Sequence, residues 1–217
     1  RVLANSISRA LHEDDSGNLF VGTQSGLYRY DPRQKNLYRY QLPNGEHGDR
    51  NIIVNICPGA DGRLWICTYD GLLLLDPATG KIREYPLGDR FQHVPQNNMI
   101  LSVVRDADED SIVWVGTETG LHRLNWKTNQ FVTYRRETHT PFSNNVIKCM
   151  LPTENGLLLL GTDRGLNVFD TKTGGVNSSY LHDTSDAWSL ADNRIDQLYQ
   201  DSNGIRWLAT RNGISRI

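Results

Sequence analysis

The chain alternates short apolar runs with clusters of turn-forming residues, and one such pattern occurs five times. Each copy has an apolar run, a small residue, a threonine, two polar residues and a glycine that opens a second apolar run. The copies are FVGTQSGLYRY, WICTYDGLLLL, VWVGTETGLHRL, LLGTDRGLNVF and WLATRNGISRI, starting at residues 20, 65, 113, 159 and 207. A phosphate-binding glycine loop would occur once and open a helix, so the repetition argues against a nucleotide site.

The spacing of the copies predicts a repeat architecture. The shared threonines lie 45, 49, 45 and 48 residues apart, at Thr23, Thr68, Thr117, Thr162 and Thr210. A period of about 40–50 residues is typical of propellers and related arrays. Each copy belongs to a set of four runs rich in Val, Ile, Tyr and Trp, which predicts a four-stranded antiparallel meander. No segment of ten or more residues keeps helical spacing of its apolar positions. We therefore predict an all-β chain, a single β-propeller region of about five four-stranded blades.

The predicted blades occupy residues 5–41, 51–86, 97–135, 144–180 and 192–217. One position of the second strand is almost always aromatic, and we expect it to pack between blades rather than bind a ligand. Its occupants are Phe20, Trp65, Trp114, Leu159 and Trp207. A small residue follows two positions later, which indicates close approach of neighbouring strands.

The composition argues against several classes of function. The 217 residues carry a net charge of −2 and no run of Lys or Arg, so nucleic acid and anionic membranes are not expected as the main partners. No apolar run approaches the roughly 18 residues of a membrane span. Cys57, Cys67 and Cys149 lack metal-ligand spacing, so we expect buried free thiols, with neither a metal nor a cofactor. The chain begins at Arg1 without a signal-peptide pattern, and we interpret it as a piece of a larger protein.

The repeats resemble a known family. The runs DDSGNLFVGTQSGLYRYDP, ADGRLWICTYDGLLLLDPATG, SIVWVGTETGLHRLN, NGLLLLGTDRGLNVFDTKTG and DSNGIRWLATRNGISRI are similar to two-component regulator propeller repeats. The resemblance covers nearly the whole chain. It departs from the family pattern at Cys67 and Ala209, which replace glycine, at Asn125, which replaces aspartate, and at Leu159, which replaces tryptophan.

The resemblance implies a fold and a function. It implies the periplasmic sensor region of a hybrid two-component system histidine kinase of Bacteroidetes such as Bacteroides, which detects glycan breakdown products and controls glycan-utilisation genes. It also implies seven-bladed propellers, so this chain is expected to be part of one, with a closed five-bladed ring as the alternative. By the same resemblance, the region itself is non-catalytic, the receptor is a homodimer, and any membrane contact is made by segments absent here.

The two polar residues of each copy are candidate ligand-binding residues. They vary within an otherwise regular frame, as expected for loops on a rigid scaffold, although solvated turns also vary. The pairs are Gln24–Ser25, Tyr69–Asp70, Glu118–Thr119, Asp163–Arg164 and Arg211–Asn212.

The segments between blades supply a second set of candidates. Aromatic faces stack on sugar rings, and arginine binds carboxylates or sulfates in a bidentate manner. We expect ligand contacts from Arg90, His93, Arg135, Arg136, His139 and Trp188. Trp188 lies outside the repeat frame, so it is either an aromatic platform or a loop anchor packed on the blade. The loop histidines lie on separate blades, which favours solvated side chains over a metal site.

Two other classes of function remain open from the residues alone. One is a propeller enzyme acting on glycans, a lyase or a sialidase-like hydrolase. The turns DDSGNLF and ADGRLWI are similar to the sialidase aspartate box, but they lie between the first and second strands rather than the third and fourth. The other class is a scaffold for protein partners, which a charged rim without an apolar patch disfavours.

Overall fold

The computed structural model describes residues 7–43, 51–85, 99–137, 141–153 and 155–217. Within them the chain forms nineteen β-strands and one 3₁₀ turn, Ala60–Gly62. No helix of the described chain is long and apolar enough to cross a membrane. The described residues divide into two compact units at Ile100 and Leu101.

Five antiparallel sheets account for the strands, and each sheet lies inside one predicted blade. The first sheet consists of β1 (Ser8–Glu13), β2 (Leu19–Thr23), β3 (Gly26–Asp31) and β4 (Asn36–Arg39). The second sheet consists of β5 (Ile53–Pro58), β6 (Leu64–Thr68), β7 (Gly71–Leu75) and β8 (Ile82–Tyr85).

The remaining sheets repeat this order. The third sheet consists of β9 (Ile100–Arg105), β10 (Ile112–Thr117), β11 (Gly120–Asn125) and β12 (Gln130–Tyr134). The fourth sheet consists of β13 (Ile147–Pro152), β14 (Leu157–Thr162), β15 (Gly165–Asp170) and β16 (Gly175–Tyr180). The fifth sheet consists of β17 (Ile195–Gln200), β18 (Arg206–Thr210) and β19 (Gly213–Arg216). The prediction of an all-β propeller made of antiparallel meanders is confirmed, with three described strands in the fifth blade.

In the first, third and fifth sheets, an aspartate closes the turn between the first and second strands. One carboxylate oxygen of Asp106 accepts hydrogen bonds from two backbone N–H groups at 3.0 Å, and the other accepts the indole N–H of Trp114 at 2.7 Å. Asp201 holds its turn in the same way and accepts the indole N–H of Trp207 at 3.0 Å. The turn aspartate thereby also fixes the tryptophan of the second strand.

Apolar residues of adjacent sheets pack together within each unit. In the first unit, Phe20 and Leu27 share a core with Ile53 and Ile66. In the second unit, Trp114 packs with residues of the third and fourth sheets, and another core joins the fourth and fifth sheets. The second-strand residues Phe20, Trp65, Trp114 and Leu159 are buried, as predicted.

The prediction of burial is wrong for Trp207, which is 36% exposed. No described fourth strand covers it. The three cysteines are free thiols, and burial is complete at Cys67, while Cys57 and Cys149 are half-buried.

Candidate functional site

The repeat threonine closes the hairpin between the second and third strands. Its hydroxyl donates to the carbonyl of the glycine three residues later, at 2.8–3.0 Å, in all five sheets. In four sheets the same oxygen accepts the backbone N–H of the second polar residue. The glycine has a positive φ in each case, which side chains other than glycine rarely adopt. Frame residues therefore build the hairpin. At two of the tips a side-chain hydroxyl also bonds the frame threonine, Ser25 to Thr23 at 3.2 Å and Thr119 to Thr117 at 3.3 Å.

A β-bulge lies beside the hairpin tips, on the first strand of four blades. The pairing of first and second strands shifts by one residue in the first, second, fourth and fifth sheets. The extra residues are Arg9, Val54, Lys148 and Asp196. Bulges re-aim side chains and are common next to functional sites. We use the term inner rim for these bulge residues together with the hairpin tips.

Sequence reasoning missed the bulge residues, although alignment of the repeats carries a signal. Lys148 is a charged residue inside a run that is otherwise apolar, and Asp196 is a charged residue at the equivalent position of the next repeat. A charge at that point of a buried strand indicates a side chain directed out of the sheet.

In the first unit, the inner rim brings a predicted residue together with a bulge residue. The guanidinium carbon of Arg9 lies 5.5 Å from the ring centroid of Tyr69, which is within the range of a cation–π contact. The backbone N–H of Tyr69 donates to the carbonyl of Ile52 at 3.2 Å. Asp70 follows Tyr69 at the same tip, so an aromatic ring, a cation and a carboxylate come from adjacent positions of the rim.

In the second unit, three charged side chains of the inner rim form a network with Arg194, which directly precedes β17. The Lys148 ammonium group pairs with Asp196 and lies 3.4 Å from an oxygen of Asp163. The Arg194 Nε atom lies 3.0 Å from Asp196 and 3.9 Å from Asp163. Partial burial alone would raise the pKa of Asp196, but the hydrogen bonds from Lys148 and Arg194 lower it. Asp163 was predicted as a site residue, and its three partners were not.

The tip of the fifth sheet is tied to the segment before β17. Asn212 donates its side-chain amide to Asp192 at 2.6 Å, and the backbone N–H of Arg211 donates to the carbonyl of Arg194 at 3.1 Å. Asp192 also accepts the backbone N–H of Arg194 at 2.7 Å. The predicted residues Arg211 and Asn212 therefore lie beside the charged network through Arg194.

Other predicted residues lie at tips or on the connecting segments. Glu118 and Arg164 are exposed at the tips of the third and fourth sheets. The half-buried Arg135 lies against Gly120, where an added Cβ would be 3.0 Å from the Arg135 Cγ atom. The exposed Arg136 is held by its backbone N–H, which donates to Asn145 at 2.8 Å. Arg90, His93 and His139 lie outside the described residues.

Trp188 belongs to a different surface. Its side chain is 96% exposed, so it is not a buried loop anchor. Local hydrogen bonds hold the surrounding loop: Trp188 N–H donates to Asp186 at 2.9 Å, and the Ser189 hydroxyl lies within 2.8–2.9 Å of the carbonyls of Asp183 and Asp186. Trp188 lines a groove of about 620 Å³ between the fourth and fifth sheets. The other predicted residues are absent from the groove lining.

Buried polar side chains of the third strands complete the scaffold, and sequence reasoning missed them too. His122 is fully buried between the hydroxyl oxygens of Thr117 and Thr133, at 3.2 and 3.0 Å. Burial, together with the positive charge of Arg135, lowers the pKa of His122 to about 3. In the next sheet Asn167, at the same position, accepts the backbone N–H of Ser143 at 2.9 Å. No described group of His, Cys, Asp or Glu side chains has a metal-binding arrangement.

The blades and the repeat that forms them are similar to those of the two-component regulator propellers. The profile of the family "Two component regulator propeller" matches residues 48–70, and the resemblance seen in the sequence is confirmed. A search of curated proteins finds no match.

Solved structures give the relatives in more detail. The chain is similar to the extracellular domain of the hybrid two component system BT4673 from B. thetaiotaomicron, with 29% identity, a TM-score of 0.80, and coverage of 96% of this chain and 26% of that one. It has the fold of the corresponding BT3049 domain from the same organism, with 20% identity, a TM-score of 0.79, and coverage of 99% and 29%. It also has the fold of virginiamycin B lyase from Staphylococcus aureus, with 12% identity, a TM-score of 0.70, and coverage of 97% and 69%. The chain spans about a quarter of the length of the two-component relatives.

Proposed function

We propose that the chain is a ligand-sensing, extracytoplasmic propeller region of a hybrid two-component system sensor histidine kinase. The receptor would lie in the inner membrane with this region in the periplasm, and it would act as a homodimer that controls glycan-utilisation genes. The observation that carries the proposal is the 29% identity, over 96% of this chain, to the extracellular domain of a hybrid two-component system.

We place oligosaccharide contacts on the inner rim of each unit. The rim of the first unit offers an aromatic ring with a nearby guanidinium at Tyr69 and Arg9. The rim of the second unit offers paired charges at Lys148, Asp163 and Asp196. Sugar hydroxyl groups both donate and accept hydrogen bonds, so a surface with cations and carboxylates side by side suits them better than a surface of one sign. Such a site recognises a neutral or weakly charged oligosaccharide without transforming it.

Sensing on this surface follows from how its charges are arranged. Lys148 and Asp163 belong to the fourth blade, whereas Arg194 and Asp196 belong to the fifth. A ligand that competes for these side chains changes the ionic contacts between two blades. Binding is thereby coupled to blade packing, since a ligand shifts an equilibrium by its difference in affinity for the two arrangements.

Calorimetry of the 217-residue chain against a panel of oligosaccharides tests the proposal. We expect saturable binding that Tyr69→Ala and Asp163→Asn each weaken by about 5- to 50-fold, the range of one or two lost hydrogen bonds or stacking contacts. Arg33→Ala serves as the control, because Arg33 is exposed in the turn at the other end of its sheet. Parallel variants Arg164→Ala and Trp188→Ala test the other predicted contacts.

Three outcomes would contradict parts of the proposal. Turnover of any oligosaccharide would replace the sensor by a propeller enzyme. Binding that is unaffected by Tyr69→Ala, Asp163→Asn and Arg164→Ala but lost in Trp188→Ala would move the site to the groove. Absence of binding across the panel, with a folded chain, would remove the oligosaccharide as the ligand.

A further inference from the structure

The outer strand of the third sheet, β12, has an edge that differs from the outer edges of the other four-stranded sheets. In the described chain β12 ends its sheet, and it pairs with β11 without a shift in register. Its five residues, QFVTY, include no charged residue, glycine or proline. Proteins usually protect a sheet edge with charges, bulges or short strands, because its N–H and carbonyl groups can pair with another strand. β12 has none of these devices.

The outer strands of the other four-stranded sheets each have at least one such device. β4 and β8 are four residues long, and they contain Arg39 in the first case and Arg83 and Glu84 in the second. β16 begins with Gly175, and its register with β15 shifts within the strand. β12 is therefore the longest regular outer strand of the described chain, and its edge is the one best suited to further pairing.

The middle residue of β12 is an exposed valine. Val132 is 47% exposed and lies opposite Arg123 of β11. The equivalent residue of the outer strand is Arg83 in the second sheet and Ser178 in the fourth. A charged residue directly opposite its own copy is destabilising, whereas two β-branched side chains in that arrangement attract each other. The position that repels a second copy in the second sheet therefore favours one in the third.

The backbone of β12 directs two of its residues to the open edge. Trp126, which follows β11, donates its N–H to the carbonyl of Ser111, which precedes β10, at 3.0 Å. Bonded and non-bonded pairs alternate along antiparallel strands, so the observed registers place Val132 in a bonded pair with β11. Its neighbours Phe131 and Thr133 therefore point their N–H and carbonyl groups away from β11, toward the open edge.

We propose that β12 pairs antiparallel with β12 of a second copy of this chain, about a two-fold axis at Val132. Phe131 of each copy then lies opposite Thr133 of the other, and each of these pairs exchanges two backbone hydrogen bonds. The two copies of Val132 face each other as the non-bonded pair between them, where side chains lie closest. This register also pairs all five residues of β12, because Val132 is the middle one.

The charges that flank β12 agree with an antiparallel second copy. Arg135 and Arg136 follow the strand, and in this register they stand opposite Asn129 and Thr128 of the second copy. A parallel arrangement would bring the arginines of both copies together. Two-fold dimers through one shared surface are the commonest oligomers.

A pairing of five residues covers little surface, so it is weak between free chains and gains strength where a tether raises the effective concentration. The pairing itself is independent of the proposed function. Its place in a membrane-bound homodimeric receptor rests on that function.

Sedimentation and amide exchange of the 217-residue chain test the pairing, at concentrations up to about 1 mM, the range that a short tether provides. We expect a reversible dimer. Exchange at Phe131 and Thr133 should slow as the concentration rises, because their N–H groups become bonded in the dimer. Exchange at Val132 should change little, since its N–H already bonds to β11. A chain that stays monomeric over this range would overturn the proposal, and so would a dimer that leaves exchange at Phe131 and Thr133 unchanged.

Charge substitutions at the two-fold axis test the register. Val132→Arg and Val132→Glu each place like charges opposite each other, and each should raise the dissociation constant of the dimer by about 10-fold or more. An equal mixture of the two variants should restore dimers, because opposite charges then meet, and this rescue also shows that both variants are folded. Ser178→Arg is the matched control on the fourth sheet and should leave dimer formation unchanged.

Two results of these variants would contradict the proposal. One is a dimer that persists in Val132→Arg, and the other is a dimer that dissociates in Ser178→Arg. Oligosaccharide binding is measured separately by calorimetry in dilute solution, where the chain is monomeric. Failure of the pairing therefore leaves the proposed function standing, and absence of oligosaccharide binding leaves the pairing standing.

Discussion

Trp114 and Trp207 occupy the same repeat position and make the same indole hydrogen bond, yet they differ in burial. Each lies on the second strand of its sheet and donates its indole N–H to the aspartate of the preceding turn. Trp114 is fully buried among Tyr134 and Phe169, with centroid distances of 5.8 and 5.4 Å, while Trp207 is partly exposed. The repeat sequence therefore determines the turn and the indole hydrogen bond, and neighbouring strands determine burial.

Removing the two indoles should give the largest difference between the sheets. We expect Trp114→Ala to lower the free energy of unfolding by about 3–5 kcal/mol, because a large side chain leaves a packed core. Trp207→Ala should cost less, about 1–2 kcal/mol, since Trp207 is already 36% exposed. Urea unfolding followed by circular dichroism measures both variants. Equal losses would mean that burial at this position contributes little beyond the shared hydrogen bond.

His122 should make the stability of the third sheet depend on pH. The fifth sheet has Ser215 at the same position, which does not titrate in this range. The pKa of His122 is about 3 in the folded chain because of burial, against an ordinary value of 6.5. Below pH 6.5 the unfolded chain binds a proton that the folded chain does not, so stability is complete above that pH and falls on acidification. The loss is about 1.4 kcal/mol per pH unit, or roughly 2 kcal/mol between pH 6.5 and pH 5.

His122→Asn provides the matched variant, since asparagine occupies this position in the fourth sheet. Urea unfolding between pH 7 and pH 5 should show a flatter profile for the variant than for the unmodified chain. Parallel profiles would show that another group causes the acid sensitivity.

The small residue of the second strand gives a third and smaller difference in stability between the third and fifth sheets. A Cβ added at Gly116 would lie 2.6 Å from the Ser102 hydroxyl oxygen and 2.7 Å from the Ile147 carbonyl oxygen. We expect Gly116→Ala to destabilise the chain by about 1–3 kcal/mol through overpacking. At the equivalent position of the fifth sheet, the exposed Ala209 already carries this methyl group, and Ala209→Gly should cost less than about 1 kcal/mol. Thermal unfolding measures the loss of stability in both variants. A smaller loss for Gly116→Ala than for Ala209→Gly would contradict the prediction.

The sequence predicted the features that depend on local structure. Strands, hairpins and turn aspartates follow from alternation and turn chemistry within one repeat, so five copies of the pattern reinforced one another. Features that depend on distant residues were missed or wrong. The exposure of Trp207 depends on a strand outside its own hairpin, and the network around Lys148 requires two sheets to meet. The position of Trp188 on the groove depends on the hydrogen bonds of its loop, and the periodic pattern of the sequence does not predict these bonds.

The threonine that closes each hairpin has an evolutionary consequence. Its hydroxyl supplies the contacts that the turn needs, and the following glycine supplies the backbone geometry. A tip residue such as Glu118 or Arg164, whose side chain is exposed, can then be exchanged at little cost to folding. Specificity for a new ligand can accumulate one blade at a time, by pairs of substitutions, while selection on stability acts on other positions. An engineer could diversify the same tips to obtain new binding proteins from one scaffold.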